Sequence, residues 1–234
     1  MGWIGMFDPI YWMIVGPTML LAFWAQMRVK SAFGKWSKVG ASSRMTGAQA
    51  AQRMLAAAGV NDVGIESAKG FLSDHYDPRV RKLRLSPDVY QGQSVAAMGI
   101  ACHEAGHALQ HANGYAPLQI RTALVPVTQI GSMLYMPIFF AGLFLNIANL
   151  AIAGVLLFAG VVLFQLVTLP VEFDASSRAK RQLLSLGIIQ SKQEAGGVAA
   201  VLNAAALTYV AAAIAALGQL LYFALRSGLL GGRR

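Results

Sequence analysis

His103-Glu104-Ala105-Gly106-His107 combines the residue types and the spacing that metal-assisted hydrolysis requires. In a helix, residues four apart share a face, so both imidazoles project together. Two neutral imidazoles placed this way can hold one Zn2+ at about 2.0–2.1 Å each. Glu104 then lies beside the metal without ligating it, where it can take a proton from a metal-activated water. The pattern is the active-site signature of zinc-dependent peptidases. A bare H-E-x-x-H also occurs as an ordinary polar helix face, so its surroundings have to decide.

Those surroundings predict a buried helix. The apolar run Val95–Cys102 forms its first half, with a start near Ser94. Asn113-Gly114 ends it, Gly114 taking the left-handed position after the last turn. Two histidines and a glutamate on a buried helix need polar partners, and a metal supplies one. Gly106 is a poor helix former, but it lets another chain segment approach the metal-binding face.

A catalytic zinc takes three protein ligands and keeps a fourth position open. His111 lies about 12 Å along the helix axis from His103, too far for one ion to bridge both, so it reads as a supporting or surface group. His75 reads as a substrate or oxyanion contact. Glu172, in Leu169-Pro170-Val171-Glu172-Phe173-Asp174-Ala175, is the expected third ligand, placed at a helix start where the chain returns from the membrane. Asp174 is the candidate to orient a ligand histidine through its free ring nitrogen. The competing reading makes both acids interfacial charges beside Arg178, Lys180 and Arg181.

The elements that must position these residues are largely apolar. Of 234 residues, 56% are hydrophobic and 12% charged, with mean hydropathy +0.52; soluble domains carry about 25% charged residues. Residues 122–171 contain no Asp, Glu, Lys or Arg, and neither do 9–27 or 195–225. Since about 20 apolar residues cross a bilayer, four spans are expected: 9–27, two within 123–169 joined near Asn146–Asn149, and one within 198–225. The last has an alanine-rich first half that also suits a packed soluble helix. The N-terminus reads as a signal anchor opened by Asp8-Pro9, with Trp3, Phe7, Tyr11 and Trp12 near one membrane boundary.

Twelve of the 19 Lys and Arg residues lie in 28–121 and four more in 172–194. The positive-inside rule puts both regions in the cytoplasm. The net charge of +9 therefore reads as a topology and anionic-lipid signal, with no nucleic-acid motif beside it. The single Cys102 forms no internal disulfide. The expected fold class is mainly α and integral to the membrane, with about four transmembrane helices and a small cytoplasmic α+β domain. The segments are an N-terminal anchor (1–30), the cytoplasmic α+β domain with the histidine helix (31–121), a transmembrane hairpin (122–170), a cytoplasmic segment with the third ligand (171–197) and a C-terminal helix (198–234). Within the α+β domain, Thr46 caps a helix over Gly47–Ala58 that Gly59 stops. Val60–Glu66, Phe71–Tyr76 and Arg81–Leu85 have strand character, and 31–45 reads as a juxtamembrane linker.

The chain resembles the YugP-like bacterial membrane zinc metallopeptidases over nearly its whole length. The carriers are Leu72–Pro78, Leu83–Pro87, His103–His107 with Gly114-Tyr115, Leu169–Ser176 and Leu202–Val210. That family is similar to gluzincins of the HtpX and Ste24 type, in which a later glutamate completes the site and an aspartate follows it by four residues. Here that place holds Ser176. The resemblance implies a membrane-bound zinc endopeptidase with a gluzincin-like domain, located in the bacterial inner membrane. Its partners would be the lipid bilayer and a protein or peptide substrate near it. Tyr76 and Tyr209 join His75 as residues that could contact substrate. The rival reading is a non-catalytic membrane scaffold or zinc-binding interaction protein. A transporter would need intramembrane charges along a path, and the spans carry none.

Overall fold

A computed structural model describes residues 8–70 and 73–230. The sequence expectations for Trp3, Phe7, Phe71 and Leu72 lie outside the described residues. The elements are α1 (Pro9–Trp36), α2 (Gly47–Ala57), β1 (Gly64–Ser67), β2 (His75–Asp77), β3 (Lys82–Leu85), α3 (Pro87–Tyr90), α4 (Val95–Ala112), α5 (Ala116–Phe144), α6 (Ala148–Ser185) and α7 (Lys192–Arg226). They fall into two units. One holds Met1–Ala25, Ile120–Leu169 and Thr208–Arg234, the other Gln26–Gln119 and Pro170–Leu207. Helices α1, α5, α6 and α7 contribute residues to both.

The first unit contains the apolar stretches. Helices α1, α5, α6 and α7 are each long and apolar enough to cross a membrane. The unit's interior is aromatic: Phe139, Phe158, Tyr222 and Phe223 are buried, with Phe139 and Phe223 centroids 4.2 Å apart. Its outer surface exposes Leu20, Phe23, Met133 and Leu156, a composition that suits lipid rather than water. Close packing of α5 on α6 needs glycine: a Cβ on Gly142 would come within 2.2 Å of the Ala151 nitrogen. Asn146 turns the hairpin with φ 57°. Asp8, buried, accepts from the Ile10 amide, the Tyr222 hydroxyl at 3.0 Å and Arg226, tying the start of α1 to the end of α7.

The second unit is the small α+β body. Thr46 caps α2 through a capping box with Gln49, and Gly59, at φ 74°, follows its end. The sheet order is β1-β3-β2, with β1 parallel and β2 antiparallel to β3. Met54, Leu83, Leu85, Met98, Leu183 and Leu202 fill the core beneath it. Three local expectations change. β1 starts at Gly64 because Val60 closes the end of α2 through its amide to the Leu55 carbonyl. β2 starts at His75 because the Asp74 carboxylate turns aside to the Ser86 amide and hydroxyl. The expected linker is helical up to Trp36, whose indole lies so close to Gly197 that an added Cβ there would come within 2.4 Å of it.

The alanine-rich half of α7 belongs to this unit, where Val198 and Leu202 join the core. Its start is fixed by Glu194. The Ser191 hydroxyl accepts from the Glu194 amide at 3.1 Å, and the Glu194 carboxylate accepts from the Ser191 amide at 3.1 Å. The same carboxylate accepts from the Ser42 amide and hydroxyl, each at 2.6 Å. Burial pushes this acid up, but those hydrogen bonds outweigh it and hold its pKa at about 2. With a folded value below the ordinary 4.5, its stabilisation is present above that pH and fades as pH falls toward 2. Glu194→Ala is expected to cost about 2–3 kcal/mol at neutral pH, with the gap to wild type closing in acid. Thermal unfolding in detergent across that pH range checks it.

Candidate metal centre

Helix α4 begins at Ser94, whose hydroxyl accepts the Ala97 amide at 3.2 Å, and ends at Asn113 before Gly114 at φ 61°. Its length brings His103 and His107 one turn apart, with ring centroids at 4.8 Å and planes at 81°. Helix α6 packs against this turn. An added Cβ on Gly106 would come within 2.8 Å of the Ala175 carbonyl oxygen, so the glycine permits the approach. Glu172 and Ser176, one turn apart on α6, both bond to His103.

The Glu172 Oε2 lies 3.1 Å from His103 Nε2 and 3.6 Å from His107 Nε2. One ligand atom from each of the three residues lies within 4.8 Å of the others, and Glu172 is only 2% exposed. The far ring nitrogens have partners as well. Ser176 Oγ is 3.1 Å from His103 Nδ1, and Gln110 Oε1 is 3.0 Å from His107 Nδ1. Gln110 Nε2 donates to the Val171 carbonyl at 2.8 Å and to Asp174 Oδ2 at 2.9 Å, where Arg178 also donates at 2.5 Å.

Burial pushes the Glu172 carboxyl up, but its bonds to both imidazoles and their charge carry it well below the ordinary range. Burial pulls His107 down, and the Glu172 bond with the charges of Glu104 and Glu172 more than reverses that. The pocket thus favours positive charge beside a buried carboxylate. Two imidazoles and one carboxylate form the N,N,O donor set that zinc accepts at sites with an open position. Cys102 offers no thiolate, since burial pushes its thiol up to about 12.

Glu104 stands apart from these three. Its Oε2 accepts the Tyr76 main-chain amide from the edge strand β2 at 3.1 Å. Tyr76 also bonds through its hydroxyl to His111 Nδ1 at 2.8 Å, so its side chain and His111 are committed to each other. His75 is exposed and bonds through Nδ1 to the Ser73 carbonyl at 2.7 Å. Tyr209 falls in the membrane unit.

Two expectations need correction. Glu172 sits in the middle of α6 rather than at a helix start, because the helix continues through Pro170. Asp174 does not bond a histidine itself; Gln110 intervenes. Gln110 does not stand out in the sequence, and Ser176 is marked there only as the place where similar proteins carry an aspartate. Spacing could have found both: Gln110 is three residues beyond His107 and Ser176 four beyond Glu172, the separations that share a helix face.

Comparison with known proteins agrees with this chemistry. Residues 11–228 match the family described as "Putative neutral zinc metallopeptidase". A Bacillus subtilis (strain 168) protein named "Putative membrane protease YugP" is 51% identical over 203 residues, covering 87% of this chain and 90% of the relative. No solved structure matches the chain. The family's ion is zinc, which is also the ion that the donors of His103, His107 and Glu172 suit. Since the match takes in α4, α6 and nearly all of the apolar helices, the chain belongs to the neutral zinc metallopeptidase family of membrane proteins.

Proposed function

We propose that this protein is a membrane-bound zinc endopeptidase that hydrolyses peptide bonds with an activated water, its active site facing the cytoplasm. His103, His107 and Glu172 hold the ion. Zinc bound there lowers the pKa of a water and polarises a carbonyl. Glu104 is the proton carrier: its Oε2 takes the proton as water attacks and passes it to the leaving amine. The observation that carries this reading is the convergence of three ligand atoms within 4.8 Å at a buried site, with a second acid, Glu104, on the histidine helix and bonded to the Tyr76 amide instead.

The cytoplasmic assignment rests on the Lys and Arg count, 16 of 19 falling in 28–121 and 172–194. On that topology residues 31–121 and 171–197 form the cytoplasmic body, and 1–30, 122–170 and 198–234 anchor it. Substrates are then proteins in the membrane or close to it. The test is metal removal. Purified protein in detergent should cleave an unfolded polypeptide, lose that activity to a chelator and regain it with added zinc. Cleavage that survives complete removal of metal overturns the proposal, and zinc binding without any cleavage supports the scaffold reading instead.

A further inference from the structure

We propose that Gln110 is a positioning residue that fixes His107 in the neutral tautomer whose Nε2 lone pair faces the metal site. The inference rests on the zinc centre proposed above. Gln110 is fully buried, and its amide has one acceptor atom and two N–H donors. Both groups facing its nitrogen, the Val171 carbonyl and the Asp174 carboxylate, can only accept. The amide therefore has one permitted orientation, with Oε1 toward His107 Nδ1 at 3.0 Å. That oxygen can only accept, so the imidazole proton resides on Nδ1. The lone pair is left on Nε2, the atom that faces Glu172.

The constraint has an opponent. A buried carboxylate 3.6 Å from Nε2 attracts a proton onto that nitrogen. With its proton on Nε2, His107 has no lone pair on the nitrogen that faces Glu172. Gln110 opposes this pull with an acceptor on the other side of the ring. Arg178 reinforces it, since it donates to the same Asp174 Oδ2 and holds that oxygen in place against the amide nitrogen. His103 lacks such control, because the Ser176 hydroxyl at its Nδ1 can donate or accept.

The experiment measures the zinc dissociation constant of the full chain in detergent by competition with a chromophoric chelator, beside the melting temperature of the metal-free protein. Gln110→Met fills the same space without an acceptor. It should weaken zinc about 10–100-fold while the metal-free melting temperature stays close to wild type. Wild-type affinity in Gln110→Met overturns the proposal. If Gln110→Met does not fold, Gln110→Asn takes its place, since the shorter amide withdraws its oxygen from Nδ1. Unchanged affinity there is equally fatal. A wild-type chain that holds no zinc overturns the centre as well as this proposal.

Discussion

Glu104→Gln is expected to leave zinc occupancy at the wild-type level while turnover falls by about 10²–10⁴-fold, the range a positioned acid–base group contributes. The two outcomes separate because Glu104 has its own partner. Its carboxylate bonds the Tyr76 amide and is not one of the three converging ligands. An amide oxygen at the same place still accepts that N–H, so β2 stays docked on α4. Only basicity is lost. Metal analysis and cleavage of an unfolded polypeptide, on the same purified sample, check both halves. Unchanged turnover removes Glu104 as the proton carrier. Lost zinc shows that the carboxylate helps to hold the ion.

What the sequence reveals here depends on how local the cause is. The ends of α4 are set by a serine hydroxyl three residues from the amide it accepts and by a glycine past the last turn, so both are readable from neighbours. The four apolar helices follow from composition alone. The alanine-rich half of α7 suits either a span or a packed helix in the sequence, and its residues belong with the core of the α+β unit while the rest of the helix belongs with the other unit. Where the cause is distant in sequence, local reading fails. The helical course of α1 through Trp36 goes with packing against Gly197, 161 residues on. β2 is shortened by a contact between Asp74 and Ser86. Gln110 looks like any polar residue in a helix until Val171 and Asp174 arrive from α6 to fix its amide. Glu172 stands out in the sequence because it is the first charge after a long apolar stretch, and hydropathy marks where such stretches end. Its depth within α6 required knowing that Pro170 does not end the helix. Neighbouring helices can satisfy the backbone group that a proline frees.

Glu172→Ala is expected to weaken zinc by more than the 10–100-fold typical of residues that merely support a ligand, and to abolish cleavage with it. Glu172 Oε2 faces both Nε2 atoms, so its removal takes away a donor and the negative charge that balances the cation. Among the described residues no second acid is poised to replace it: Asp174 is bound to Gln110 and Arg178, and Glu104 to the Tyr76 amide. Two imidazoles alone leave zinc a ligand short of the three that catalytic sites use. Glu172→Gln separates charge from shape, since it keeps an oxygen donor of the same reach without the charge, and it should fall between wild type and Glu172→Ala. Asp174→Ala is the matched control. It removes a nearby carboxylate of the same helix that touches the histidines only through Gln110, so its loss should stay within the supporting range. Zinc content after exhaustive dialysis, compared across the four chains, gives the ranking. Equal zinc in wild type and Glu172→Ala removes this acid as a ligand. Equal losses in Glu172→Ala and Asp174→Ala make the effect one of local charge rather than of a bond to the ion.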